Sequence, residues 1–217
     1  MYSFWDELLA RNPGLVIDNC ASGGRRIDLE TSSRSIPLWR TDYSYFEPNG
    51  YQCHTYGINF YIPTSSTGHG HPDTYTFRSS INSGVVLGWN LYLPNFPVEH
   101  ARKLIAEFKK IRPFFYGDYY PLTSHSVEDD VWMAYQFHRE DMKQGMAMAF
   151  RRPQSKDDSN CLKLCGLLPE ANYEVTIEDT GEIKTISGKE LLSGVNVTIN
   201  ETPGSWLITY RQCNKYV

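Results

Sequence analysis

The sequence has no run of about 18 uncharged apolar residues, and no basic N-terminal segment leading into a cleavable apolar stretch. It has no block of one charge either. The first two absences argue against a membrane span and a secretion signal, so the chain reads as soluble, with its compartment unstated. Lys and Arg number 21 against 25 Asp and Glu, a net charge of −4. No basic face is advertised, which excludes nucleic acid as a main partner. Cysteine is scarce: Cys20, Cys53, Cys161, Cys165 and Cys213 are odd in number and irregularly spaced. No second pair matches Cys161 and Cys165, so a zinc site is excluded and the reading is a reduced chain with no metal and no cofactor. Internal repeats and low-complexity tracts are also missing.

What is present suffices for a sizeable core. The 217 residues are 41% hydrophobic, enough for one large domain or two smaller ones. Aromatics reach 14%, with 15 Tyr and 5 Trp. Flat amphipathic rings suit a site that grips sugars, and they also fill cores; composition alone favours the core.

Along the chain, YSFWDELLAR reads as a short helix stopped by Pro13-Gly14, and LVID as a buried strand. SIPLW and GINFYIP read as further strands. Each delivers a polar cluster at its C-terminal end, the last being STGHGHPD. TYTFRSSINSGVVLGWNLYL reads as a helix into Gly84 followed by a strand. In PVEHARKLIAEFKKIRPFF, Val98, Ala101, Leu104, Ile105, Phe108 and Ile111 recur at three and four, the mark of an amphipathic helix. After Tyr120-Pro121 the period changes to two: Trp132, Ala134 and Gln136; Met146, Met148 and Phe150; Tyr173, Val175 and Ile177; Trp206, Ile208 and Tyr210. Turn signals separate these runs, so the tail reads as an antiparallel β domain. The expected organisation is a (β/α) half over residues 1–124 and an all-β sandwich over 125–217.

Polar clusters just after apolar runs are what a (β/α) barrel places at its active face. The acids in these clusters are Asp18, Asp28, Glu30, Asp42, Glu47 and Asp73. Hydrolysis of a glycosidic bond asks for two carboxyl groups, one protonated for the leaving group and one ionised as nucleophile or base. Asp42 is the best placed, with Trp39 and Tyr43 flanking it and Arg40 nearby. A surface acid paired with that arginine is the alternative.

The segment NCASGGRRID resembles the Cys-x-Ser-Gly-Gly-Gly-Arg-x-Asp loop of the melibiase-type α-galactosidases, glycoside hydrolase family 36 in clan D. Trp39 to Asp42 resembles that family's Trp-Thr-Ser-Asp segment, and Asp42 follows Cys20 by 22 residues, as in the family. EHARKLIAEFKKIRPFFYGDYYPL, GLLPEANYEV and SGKELLSGV are similar to its last barrel helix and C-terminal β domain. The resemblance implies the C-terminal half of a (β/α)8 TIM barrel followed by an antiparallel β-sandwich. It makes Asp42 the general acid/base and sets Cys20, Gly23 and Gly24 against the sugar hydroxyls of a galactosyl oligosaccharide, where glycine lets main-chain N–H groups approach. Arg26 and Asp28, two residues apart and opposite in charge, read as braces of the loop. Two positions depart from the pattern: Arg25 replaces the third glycine, and Arg40-Thr41 replaces Thr-Ser. Both are expected to bring bulk and charge near the pocket and to shift the preferred sugar.

The retaining mechanism implied by the resemblance needs a second aspartate, carried in a Lys-Trp-Asp phrase; none occurs here. The chain therefore reads as the C-terminal piece of a larger enzyme, inactive alone, its partner being either the remaining N-terminal part or further copies of itself. A non-catalytic carbohydrate-binding or assembly module, and a raffinose-synthase-like transglycosylase, are the alternatives. His54, His69 and His71 lack a third ligand at sensible spacing and read as exposed loop histidines, not metal ligands. Asn196-Val-Thr and Asn200-Glu-Thr fit glycosylation sequons within a strand region.

Overall fold

A computed structural model describes residues 1–21, 23–42 and 47–213. Helix α1 (Tyr2–Arg11) opens the chain as expected, and Asn12 ends it. Four short segments then lie side by side in chain order, all parallel: 17–19, 36–40, 65–69 and 84–88. The amide of Asn19 donates to Ile36 O at 3.1 Å and that of Ile36 to Ile17 O at 2.9 Å. Ser66 donates to Pro37 O and Arg40 to Ser66 O, both at 3.1 Å. Val86 and Gly88 donate to Thr67 O and His69 O at 3.3 and 3.0 Å. Only Gly68–His69 (β1) and Val86–Leu87 (β2) are regular enough to form strands. Helices α2 (Leu29–Ser32), α3 (Pro48–Ile58) and α4 (Thr74–Ser80) fill the connections, which is the alternation parallel pairing requires. This is the open half barrel expected from the sequence.

One strand stands elsewhere than expected. GINFYIP is not a strand: Gly57 and Ile58 finish α3, and a turn follows. The pairing segment is the polar Ser65-Ser66-Thr67-Gly68-His69, every residue of it buried. Hydroxyl side chains tolerate that burial because they bond within the layer. Ser65 Oγ accepts from Arg40 Nη1 and from Asn82 Nδ2, at 3.1 and 2.9 Å. His69 is likewise buried, with 0% exposure, so its reading as an exposed loop histidine is corrected. Its ring packs edge-on against Phe77 and Trp89.

Helix α5 (Val98–Ile111) buries Ala101, Leu104, Phe108 and Ile111, the face its spacing predicted. A 3-10 turn, Arg112–Tyr116, follows, and β3 (Asp118–Pro121) enters the sheet by pairing with β4 (Trp132–Arg139). The sheet thus begins ahead of the 124/125 division read from the sequence. It runs β3-β4-β5-β10-β7-β8 and is antiparallel throughout, with β5 (Gln144–Arg151), β7 (Asn172–Ile177), β8 (Glu182–Ser187) and β10 (Gly204–Gln212). A two-stranded sheet, β6 (Ser159–Leu162) with β9 (Val195–Thr198), and helix α6 (Gly188–Ser193) lie over one face, consistent with a β-sandwich.

The central strands are buried on both faces. Trp132, Ala134, Ala147, Ala149, Trp206 and Ile208 join the core under β6, β9 and α6. Met133, Tyr135, Phe137, Met146, Met148 and Phe150 form a second core with Phe77, Leu104, Phe108 and Ile111 of the helices. Met146, Met148 and Phe150 therefore face the barrel half. Each such side chain contributes about 1.5–3 kcal/mol by leaving water, so this second core binds the two halves into one body. An ion network reinforces the junction: Arg78 of α4, 2% exposed, pairs with Glu107 of α5 at 2.7 Å and with Asp179 beyond β7 at 2.6 Å.

Candidate active site

The loop after segment 17–19 and the end of segment 36–40 meet at one point. Gly23 and Gly24 hold φ of +50° and +72°, a left-handed conformation glycine adopts without steric cost. A β-carbon on Gly23 would stand 2.1 Å from the Asp42 amide nitrogen and 2.4 Å from the Thr41 carbonyl carbon; one on Gly24 would stand 3.0 Å from Arg40 O. The loop backbone thus lies directly on the backbone of residues 40–42. Absence of side chains is what permits the approach.

Asp42 is exposed, and the indole N–H of Trp39 donates to its Oδ1 at 2.8 Å. One carboxylate oxygen is thereby held; the other accepts no hydrogen bond among the described residues. Cys20 is exposed, a free thiol at the start of the same loop. Tyr43, read as the second flanking aromatic, lies outside the described residues.

Asp28 caps α2, accepting from Thr31 N at 2.9 Å and from Thr31 Oγ1 at 2.8 Å. These bonds hold its carboxyl below the usual carboxylate range. Thr31 Oγ1 also lies 2.8 Å from the Tyr2 hydroxyl, tying the loop's far end to α1. Arg26 is half-buried on the same loop. Asp18 accepts from the Leu38 amide at 3.2 Å, and Asp73 caps α4 through Thr76 N at 2.8 Å. Two of the candidate acids are thus occupied with caps.

Arg40 corrects two expectations. It neither pairs with Asp42 nor presents charge at the rim. Its side chain turns inward to 3% exposure, donating to Ser65 Oγ at 3.1 Å, Thr55 Oγ1 at 2.6 Å and Tyr51 O at 3.3 Å. Desolvation pulls its pKa down to about 10. No sequence signal marks this, because the hydroxyls that receive the guanidinium come from α3 and from a polar segment read as loop. Among the described residues, no group of three or more His, Cys, Asp or Glu could hold a metal ion, and no helix is long and apolar enough to cross a membrane.

No family model matches the chain. It is 24% identical over 189 residues to α-galactosidase 1 of Pediococcus pentosaceus, covering 80% of this chain and 25% of that protein. It is 26% identical over 194 residues to a probable α-galactosidase C of Aspergillus terreus, covering 81% and 25%. The chain therefore spans about a quarter of the length of these curated relatives. Among solved structures, the family 36 α-galactosidase AgaA from Geobacillus stearothermophilus superposes with a TM-score of 0.79 at 20% identity, over 98% of this chain and 31% of that one. A variant of AgaA in complex with stachyose gives 0.80, also at 20% identity and over the same shares. The galactosidase domain of the α-galactosidase-sucrose kinase AgaSK gives 0.78 at 20% identity, again over 98% and 31%. In sequence the chain resembles, and in fold it matches, the C-terminal portion of the α-galactosidases of glycoside hydrolase family 36.

Proposed function

We propose that residues 1–217 form the acid/base side of a retaining exo-α-galactosidase site that removes terminal α-galactosyl units from oligosaccharides. Asp42 is the general acid/base: its free oxygen gives a proton to the glycosidic oxygen as the aglycone departs, then takes one from the water that hydrolyses the glycosyl-enzyme. Trp39 positions it. Cys20 and the backbone of Gly23 and Gly24 lie along the sugar hydroxyls, and Asp28 braces the loop from behind. The observation that carries this reading is the seating of Gly23 on the Asp42 amide. It links hydroxyl-gripping loop and proton donor within one rigid unit.

Two carboxylates are required and one is proposed here. With no Lys-Trp-Asp phrase in the sequence, the nucleophile comes from outside these residues, and the chain alone does not turn over substrate. Titration with galactose and melibiose, followed by tryptophan fluorescence, tests the reading together with an aryl α-galactoside assay. A saturable fluorescence change without cleavage is expected. Failure of either sugar to perturb the chain overturns the proposed wall; cleavage by the chain alone, lost in Asp42→Asn, overturns the external nucleophile.

A further inference from the structure

We infer that the pocket between the 23–27 loop and α3 binds an oxyanion of phosphate size, as the free ion or as a phosphomonoester of a sugar. The pocket has a volume of about 560 Å³; Gly24 and Arg25 stand on one side, His54 and Tyr61 on the other, and Arg40 and Thr41 between them. Asp42 is not among its walls, and neither is any carboxylate.

Charge is the first argument. Arg25 brings an exposed charge to the pocket, the buried Arg40 lies in its wall, and no acid is among the described lining residues, so the local field favours an anion. Burial is the second. Arg40 is held by neutral oxygens alone, and its Nε has no hydrogen-bond partner among the described residues. Arg151 and Arg152 are also buried on neutral oxygens, but neither lines this pocket. Arg40 does, and a neighbouring anion would supply the countercharge that its hydroxyl partners do not.

Arg25 provides the grip. It is exposed, on a loop whose backbone is pinned at Gly23 and Gly24, and its planar fork of N–H donors matches an oxyanion. His54 is held neutral by burial, its pKa lowered to about 4, so near neutral pH it adds no charge. Both arginines stand where the sequence departs from the glycine and threonine of the loop pattern it resembles. The two departures converge on one pocket, which makes anion binding a property of this chain.

The test is calorimetric titration of the full chain with inorganic phosphate, sulfate, a hexose 6-phosphate and the parent hexose, at ionic strength fixed with chloride. Saturable one-to-one binding of phosphate and sulfate is expected. Arg25→Gln weakens it at least tenfold and, being a surface change, leaves the unfolding midpoint where it was. Stronger binding of the hexose phosphate, with the parent hexose silent, identifies the ester as occupant; equal affinity identifies the free ion. Binding undiminished in Arg25→Gln, or no saturation at millimolar anion, overturns the proposal. Asp42→Asn leaves the isotherm unchanged, so this site stands or falls separately from the role given to Asp42.

Discussion

Gly23 and Asp42 touch through their backbones: the place where a β-carbon would sit on the one is 2.1 Å from the amide nitrogen of the other. Nineteen positions apart in sequence, they are in direct backbone contact. Displacing the loop is therefore expected to displace the acid.

Gly23→Ala carries both penalties at once, a forbidden approach and a positive φ. It is expected to lower stability by about 1–3 kcal/mol and to remove the galactose-induced fluorescence change. Gly24→Ala, whose nearest obstacle is Arg40 O at 3.0 Å, costs less. Urea unfolding midpoints of the two variants check the order.

In any assembly of this chain that cleaves galactosides, Asp42→Asn is expected to reduce kcat on oligosaccharides by about 10²–10⁴. Aryl galactosides, whose leaving groups need little protonation, should suffer least. Trp39→Phe removes the exposed hydrogen bond to Asp42, a bond worth about 0.5–1.5 kcal/mol, and should lower kcat more than it changes KM. Steady-state kinetics on both substrate types separate the two effects.

Arg78→Met leaves Glu107 and Asp179 facing each other across the junction of the halves. The expected loss is roughly 3–5 kcal/mol, the cost of breaking a buried pair from one side. Replacing all three by Met, Gln and Asn should restore most of it. Guanidinium unfolding of the single and triple variants provides the measurement.

Burial lowers the pKa of His69 from 6.5 to about 4. Its Nδ1 lies 3.2 Å from His71 O, and its Nε2 has no hydrogen-bond partner among the described residues. The folded state therefore refuses a proton that the unfolded state accepts. Stability should be full above about pH 6.5, fall as pH drops toward 4, and level off below, the loss being about 3 kcal/mol. His69→Gln should remove this share of the loss and leave the share due to His54, whose pKa burial also lowers to about 4.

Regular periodicity was readable; polar burial was not. Helix α5 and the strands of the large sheet announced themselves because their apolar residues recur at three and four, or at two. Helix α3 hid because its buried face is Tyr51, Gln52, Thr55 and Ile58, half of it polar and interrupted by Gly57. The segment 65–69 hid for the same reason: its serines and threonine are buried, with Ser65 Oγ accepting from Arg40 and Asn82 and the Ser65 amide donating to Ser83 Oγ. At the site, the spacing from Cys20 to Asp42 and the paired glycines could be read directly. The inward turn of Arg40 could not, since nothing in the sequence marks which face of a short irregular strand a long cation takes.

The double-sided burial of β4 and β5 also bears on how the molecule comes apart. A protease cutting the exposed connection at residues 124–130 would sever the backbone without freeing either product, because both would remain glued along the same oily seam. The two pieces should migrate together in gel filtration and separate only in denaturant.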